Sequence, residues 1–197
     1  MNEREQARKT NRREILKLSG LGIVGGAAVS SLAVEQAKAI VPGYAISYAS
    51  WIHGHSLAVE APEKLVSQWR AGFGLVIDGQ MGTENWLHFA IPTPVILNDV
   101  RLQVDSIMLR FTTGSADAYV RDVYVYDGER PIASFTGITN GAPQQFDPIL
   151  RLPLDSKPYM GYGLGISIGV TFGIQAMSHQ MWFSSAGCDF IAQPVAL

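Results

Sequence analysis

Charge is scarce in this chain and cysteine nearly absent. Of 197 residues only 16% are Asp, Glu, Lys or Arg, and Cys188 is the single cysteine. One thiol excludes an intrachain disulfide and a Cys-x-x-Cys pair. Past residue 39 the bases thin out to eight Lys plus Arg against thirteen Asp plus Glu, and the six arginines, Arg70, Arg101, Arg110, Arg121, Arg130 and Arg151, stand singly. Nucleic-acid binders carry a basic stripe or patch, and none is present. There is no phosphate-cradling glycine loop, no calcium-loop spacing and no internal repeat. Gly165-Ile166-Ser167-Ile168-Gly169 matches a nucleophile elbow only as a string, because it lies inside a predicted strand with no helix after it.

Basic residues gather instead at the N-terminus. Thr10-Asn11-Arg12-Arg13-Glu14-Ile15-Leu16-Lys17 is followed by the uncharged run Leu18 to Ala33, and then by the small-x-small pattern Ala37-Lys38-Ala39. That run contains Gly20, Gly22, Gly25 and Gly26 and is short against the roughly 20 apolar residues a membrane span needs. The segment resembles a twin-arginine signal peptide, cleaved after Ala39. The resemblance implies transfer of the folded protein by the twin-arginine export machinery across a bacterial inner membrane, to the periplasm or the cell exterior, with membrane contact only during export. Residues 40–197 then form one domain, long enough to bury about 70% of its unfolded surface. Folding before export suits a chain without disulfides. Cys188 reads as a small buried hydrophobe rather than a nucleophile or metal ligand; only an exposed thiol would allow an intermolecular disulfide.

Almost no stretch of residues 40–197 places apolar side chains at helical spacing, whereas alternation recurs between Gly, Pro, Asn and Asp punctuation. The expected fold is all-β: a two-sheet antiparallel β-sandwich of the jelly-roll or another Greek-key type. The clearest strand is Tyr162 to Ile174. Tyr162, Leu164, Ile166, Ile168, Val170, Phe172 and Ile174 share one face, and Gly163, Gly165, Ser167, Gly169, Thr171 and Gly173 share the other. Further strands are expected at Tyr44 to Val59, Gly72 to Ile77, Asn85 to Ile91, Val100 to Phe111, Ala118 to Tyr126, Ile132 to Gly137, Ile149 to Leu152 and His179 to Phe190. The first exceeds a usual strand and is expected to break near Gly54. Asp78-Gly79 and Asp127-Gly128 supply turn chemistry. Pro92 and Pro94 end a strand or mark an edge, and one helical turn is expected around Pro62 to Leu65.

The runs Asn85-Trp86-Leu87-His88-Phe89-Ala90-Ile91-Pro92-Thr93-Pro94, Gly114-Ser115-Ala116-Asp117-Ala118 and Ser185-Ala186-Gly187-Cys188-Asp189-Phe190 resemble an uncharacterised bacterial family of domains of unknown function. The resemblance spans most of residues 45 to 190. It implies one compact domain and carries no activity, site or cofactor.

Three surfaces compete for a function. His53 and His55, two apart on one strand, would point to the same side, and with His88 and His179 would give a site for a divalent transition metal. Cupin-type jelly rolls use such sites, but the glycine-rich flanks and following glutamate of that pattern are missing here. Trp51, Trp69, Trp86 and Trp182, with Tyr44 and Tyr48, are rings that stack on sugars if exposed and fill the core if buried; Asn85, Gln80 and Asp78 would hydrogen-bond such a ligand. The ligand set read from the sequence is Trp51, His53, Asn85 and Trp86. The glycine face of Tyr162 to Ile174 either admits a ligand or a second copy of the chain, or is covered by neighbours. Asp117 and Asp122 form an acidic pair suited to calcium or to a solvated strand face. The expected function is an exported binding or surface-interaction module without catalysis, for a glycan or another exported protein, with no cofactor. A histidine-based metal enzyme and a self-associating structural protein are the alternatives.

Overall fold

The computed structural model describes residues 45–139 and 149–192. Arg12, Arg13, Ala37 and Ala39 of the expected signal, and Tyr44, lie outside the described residues. Thirteen strands follow in chain order: β1 (Ile46–His53), β2 (Ala58–Val59), β3 (Leu65–Ala71), β4 (Gly74–Gly79), β5 (Glu84–Ile91), β6 (Ile96–Leu97), β7 (Val100–Arg101), β8 (Gln103–Thr113), β9 (Ala118–Asp127), β10 (Arg130–Phe135), β11 (Leu150–Pro153), β12 (Leu164–Phe172) and β13 (Gln180–Ile191).

Two antiparallel sheets carry the fold. One has the order β11-β8-β13-β4-β3, with β1 also on β13; the other runs β10-β9-β12-β5-β2. The orders march in step, so β11 and β10, β8 and β9, β13 and β12, and β4 and β5 hold matching places in the two sheets. That is a jelly-roll arrangement, one of the Greek-key types expected from the sequence. Alternation explains the core. Leu164, Ile166, Ile168, Val170 and Phe172 of β12 and Met181, Phe183, Ala186, Cys188 and Phe190 of β13 are buried in one apolar cluster. Tyr162 and Ile174, expected on the same core face, are instead 76% and 81% exposed. They fall beyond the ends of β12, where the pleat no longer aims them inward.

Two other points differ from expectation, and others agree with it. Leu65–Ala71 forms β3 at a sheet edge, paired with β4, although its residues do not alternate. Asp78-Gly79 is no turn but the end of β4, and Gly79 is required because a Cβ there would lie 2.1 Å from the Phe172 ring. The first strand does break at Gly54, into a 3-10 turn over Gly54–Ser56. A second such turn covers Pro62–Lys64, where a helical turn was expected. Asp127-Gly128 does turn the β9–β10 hairpin, with Gly128 at φ +60°.

Buried acids tie the long connections down. The Asp127 carboxylate accepts the amides of Gly161, Tyr162 and Gly163 at 2.8, 2.8 and 3.1 Å and pairs with Arg130 at 2.8 Å. Burial pushes its carboxyl up, but the Tyr162 and Gly161 amides, Arg130 and the Gly163 amide outweigh that and hold it below the ordinary 3.8. Asp105, raised by burial and lowered more strongly by Lys157, Ser106 and Arg151, also ends below it. Asp117 is lowered chiefly by its His179 hydrogen bond, then by the Gln175 amide, against some burial.

Each lowered carboxyl contributes stability that is complete above its unfolded value and is lost as pH falls through the folded value. Stability is therefore expected to be flat with respect to these groups above about pH 5 and to decline below about pH 4, as read by chemical denaturation across pH. Asp127→Ala is expected to cost about 3 kcal/mol or more at pH 7 and to flatten part of that acid limb.

Candidate functional site

Register builds an open cleft on the outer face of the six-stranded sheet. His53, Ser185 and Arg110 lie side by side across β1, β13 and β8, and the next row holds Trp51, Gly187 and Met108. β11 extends both rows, since Arg151 pairs with Met108 and Leu150 with Leu109, which sets Ile149 beside Arg110. Trp51, Ile52, His53, Arg110, Ile149 and Ser185 line a pocket of about 390 Å³. Trp51 and His53 share it because residues two apart on a strand point the same way.

Gly187 determines how Trp51 sits. A Cβ at Gly187 would lie 2.4, 2.7 and 2.8 Å from Cδ2, Cε2 and Cε3 of Trp51. These atoms surround the ring fusion, so the indole caps the bare glycine with its face rather than its edge. The opposite face looks outward, and Trp51 is 40% exposed. His53 Nδ1 accepts the His55 amide at 3.3 Å, which places the proton of the neutral ring on Nε2. Arg110 and Ser185 complete the polar lining.

The remaining expected site residues lie elsewhere. Trp86 is on the outer face of the five-stranded sheet. Its indole covers Gly169, stacks on Tyr124 at 5.4 Å and carries the Arg121 guanidinium 5.8 Å from its centroid. Arg121 is itself paired with Glu84 and Asp122. Asn85 is buried, and its side chain clamps the backbone of Ala61 through both its oxygen and its nitrogen, at 3.1 and 2.7 Å. It is a structural residue, turned inward by the same alternation that turns Trp86 out. Gln80 Nε2 likewise donates to the Glu63 carbonyl at 2.8 Å. The structure thus brings Trp51 and His53 together and separates them from Asn85 and Trp86. Trp69 is 44% exposed and Trp182 half-buried; register places both on the same sheet face as Trp51, flanking Val76.

The histidines do not converge. β1 ends at His53 and a 3-10 turn begins at Gly54, where a Cβ would lie 1.9 Å from the Phe183 carbonyl oxygen. His55 therefore leaves the strand face, and its Nε2 contacts the Ala71 carbonyl at 2.6 Å, although its ring stays 4.3 Å from that of His53. His88 bridges Ser167 and Glu60, each at 3.0 Å. His179 is buried against Asp117 at 2.9 Å. Among the described residues no group of three His, Cys, Asp or Glu side chains is placed to hold a metal. Asp117 and Asp122 are also apart in role: the first holds His179 and the Gln175 amide, the second Arg121 and the Gly137 amide.

Cys188 is buried, and burial, then Asp189 and Asp105, push its thiol far above the ordinary value, so it is held as a thiol. Of the glycine face, Gly169 is roofed by Trp86, and a Cβ at Gly173 would lie 2.0 Å from Asp117, while Gly163 has open space beside it. Sequence reasoning missed Arg110, Ser185 and Ile149, whose only signal was single polar or apolar residues on strands far apart in the chain.

A family model described as a family of unknown function (DUF6623) matches residues 46–190, and the chain belongs to that family. No curated protein matches the chain. Among solved structures it is similar to a low-affinity xylan-binding module, CBM86, from Roseburia intestinalis, with 12% identity over 73% of this chain and 96% of that one and a TM-score of 0.43. It is also similar to a Stig cyclase from Fischerella sp. TAU, with 14% identity, 79% and 91% coverage and a TM-score of 0.38. A CBM36 module solved with calcium and xylotriose gives 10% identity, 71% and 98% coverage and 0.35. At TM-scores this low the likenesses decide neither the topology nor the ligand of this chain.

Gly187→Ala is expected to lift the Trp51 indole off the sheet. The measurement is the Trp51 indole N–H resonance, which should shift strongly, with a stability loss of about 1–3 kcal/mol; an unmoved resonance would contradict the face-on seat.

Proposed function

We propose that this family member is an exported binding module that lays a sugar ring on Trp51, without chemistry at the site. One observation carries the reading: the indole of Trp51 is fixed face-down on Gly187 with its other face open above a cleft. A pyranose presents a patch of C–H groups on one face and hydroxyls at its rim. Covering that patch with indole removes apolar area from water. The hydroxyls then meet the polar groups beside the ring, His53, Ser185 and Arg110. The seat is pre-organised, because the sheet holds the ring before any ligand arrives, and ordering costs on binding fall accordingly.

Export supports the same reading from the N-terminus. Arg12 and Arg13, followed by the uncharged run to Ala33 and the cleavage pattern at Ala37 and Ala39, would deliver a folded domain to the compartment where polysaccharides are met. The buried, solitary Cys188 suits either side of the membrane.

Two measurements test these statements. In affinity electrophoresis through gels cast with plant and bacterial polysaccharides, the protein should be retarded by at least one, and Trp51→Ala should lose about tenfold or more in affinity. The same variant should keep its fold, losing no more than about 1 kcal/mol through its cross-strand contact. Retardation unchanged in Trp51→Ala would remove this site. Separately, Arg12→Lys with Arg13→Lys should leave the protein in the cytoplasm of a bacterium with the twin-arginine machinery, while the unaltered chain appears outside the inner membrane. Equal export of both would sink the export reading.

A further inference from the structure

Ser167, the centre of Gly165-Ile166-Ser167-Ile168-Gly169, lies in mid-strand on β12 and on no strand-to-helix turn. Its neighbours Ile166 and Ile168 are buried in the core, so alternation turns the Ser167 hydroxyl to the outer face of the five-stranded sheet. Register sets His88 of β5 directly beside it, and Ala58 of β2 directly beyond His88. Glu60 follows two residues after Ala58. Its amide donates to the Trp86 carbonyl at 2.9 Å, and the next residue, Ala61, is clamped by the Asn85 side chain. The backbone carrying Glu60 is thus fastened twice to β5. Three side chains from three parts of the sequence then form one hydrogen-bonded chain: Ser167 Oγ and His88 Nδ1 lie 3.0 Å apart, as do His88 Nε2 and Glu60 Oε2.

The acid fixes the direction of that chain. A carboxylate only accepts, so the proton of the neutral imidazole is on Nε2 and Nδ1 keeps a lone pair. The lone pair only accepts, so the Ser167 hydroxyl donates to it. This is the proton arrangement of a serine nucleophile, its general base and the acid that orients the base. Access to Oγ is one-sided. Gly169 is roofed by Trp86, whereas a Cβ at Gly165 would meet nothing closer than Tyr126 Cβ at 4.0 Å. The β5 partner of Gly165 is the small, exposed Ala90, so a carbonyl group can reach Oγ over Gly165 with Tyr126 as one wall.

The backbone limits the chemistry. Around Ser167, β12 is paired on both sides, with β5 and β9, so its amides are committed to the ladders and offer no oxyanion donor. One such donor is worth about 10²–10³ in rate, and without it an amide is out of reach. An ester with a good leaving group needs less help.

We infer that Ser167, His88 and Glu60 form a second site, separate from the Trp51 cleft, at which Ser167 takes the acyl group of a small activated ester. Oγ attacks the carbonyl carbon while its proton passes to His88 Nδ1. The bond to the leaving oxygen breaks, and that oxygen takes the proton from Nδ1 and departs as the alcohol. The acyl group stays as an ester on Oγ until a water, giving its proton to the same Nδ1, attacks it. The carboxylic acid leaves, and the proton returns from Nδ1 to Oγ. Glu60 touches no reacting atom; it is a positioning residue that holds the tautomer.

The test is covalent and local. With a fluorophosphonate, whose phosphorus bonds to a nucleophilic serine as fluoride leaves, the purified full chain should gain an adduct that peptide mass spectrometry places on Ser167. With p-nitrophenyl acetate it should release p-nitrophenol and carry the acetyl group at the same residue. Ser167→Ala should take up neither reagent at that position. His88→Gln should slow both reactions about a hundredfold or more, and Glu60→Gln about fivefold, the worth of an exposed charge pair. Ring-nitrogen NMR shifts of His88 should report the Nε2-protonated form, and in Glu60→Gln a mixture of both tautomers. All three variants should melt with the unaltered protein, because each changes only the sheet surface. A folded protein with no adduct on Ser167, or an adduct that forms as fast in His88→Gln, would overturn the inference. Either result would leave the Trp51 cleft and its glycan reading untouched.

Discussion

The carbonyl of Phe183 is the point on which the arrangement of the six-stranded sheet turns. Two glycines from different parts of the chain press against it. A Cβ at Gly54 would lie 1.9 Å from that oxygen, and one at Gly74 2.1 Å. Here β13 carries a bulge between Phe183 and Ser185, and its partner on one edge changes from β4 to β1. Two strands can share one edge end to end only if their termini come within backbone contact, which side chains would forbid. The consequence reaches the cleft. β1 ends at His53, opposite Ser185, so Trp51 falls opposite Gly187 and the indole finds a glycine to lie on.

Charge follows a related economy. Some acids in this domain work as internal anions that satisfy backbone amides of connections, as Asp127 does for Gly161 to Gly163 and Asp117 for Gln175. Buried amides need partners wherever no strand supplies them, and a carboxylate that accepts several of them stays ionised. An acidic sequence therefore need not present an acidic binding surface.

The fold was legible where burial imposes a period. β12 is covered on its inner face by the opposite sheet, so its large residues alternate without a break, and the bulk of the jelly roll could be read from such strands. β3 was missed because it is an edge strand with only Leu65 buried; with one side and most of one face in water, nothing forces its residues to alternate. The histidine pair misled for a backbone reason, since the period of two holds only while the strand lasts and Gly54 ends it. Two residues of the site were legible for the converse reason. Trp51 and His53 lie within one strand, whereas Arg110, Ile149 and Ser185 join them through the pairing of β1, β13, β8 and β11, which no local pattern in the sequence encodes.

The two outer faces show why a tryptophan over a glycine is not by itself a site. Trp86 on Gly169 and Trp51 on Gly187 use the same cross-strand device, which repairs the gap a glycine leaves in a sheet. Around Trp86 the second face of the ring is already engaged by Tyr124 and Arg121, and Arg121 by two carboxylates. A ligand there would have to displace a stacked ring or break an ion-paired cation, giving up contacts comparable to those it gains. Around Trp51, which is 40% exposed, no stacked ring or ion-paired cation among the described residues sits on the indole, and the polar neighbours His53, Ser185 and Arg110 line the same cleft. The difference lies in the neighbouring strand: β9 places Tyr124 and Arg121 on the outer face beside β12, whereas β8 places Met108 and Arg110 beside β13.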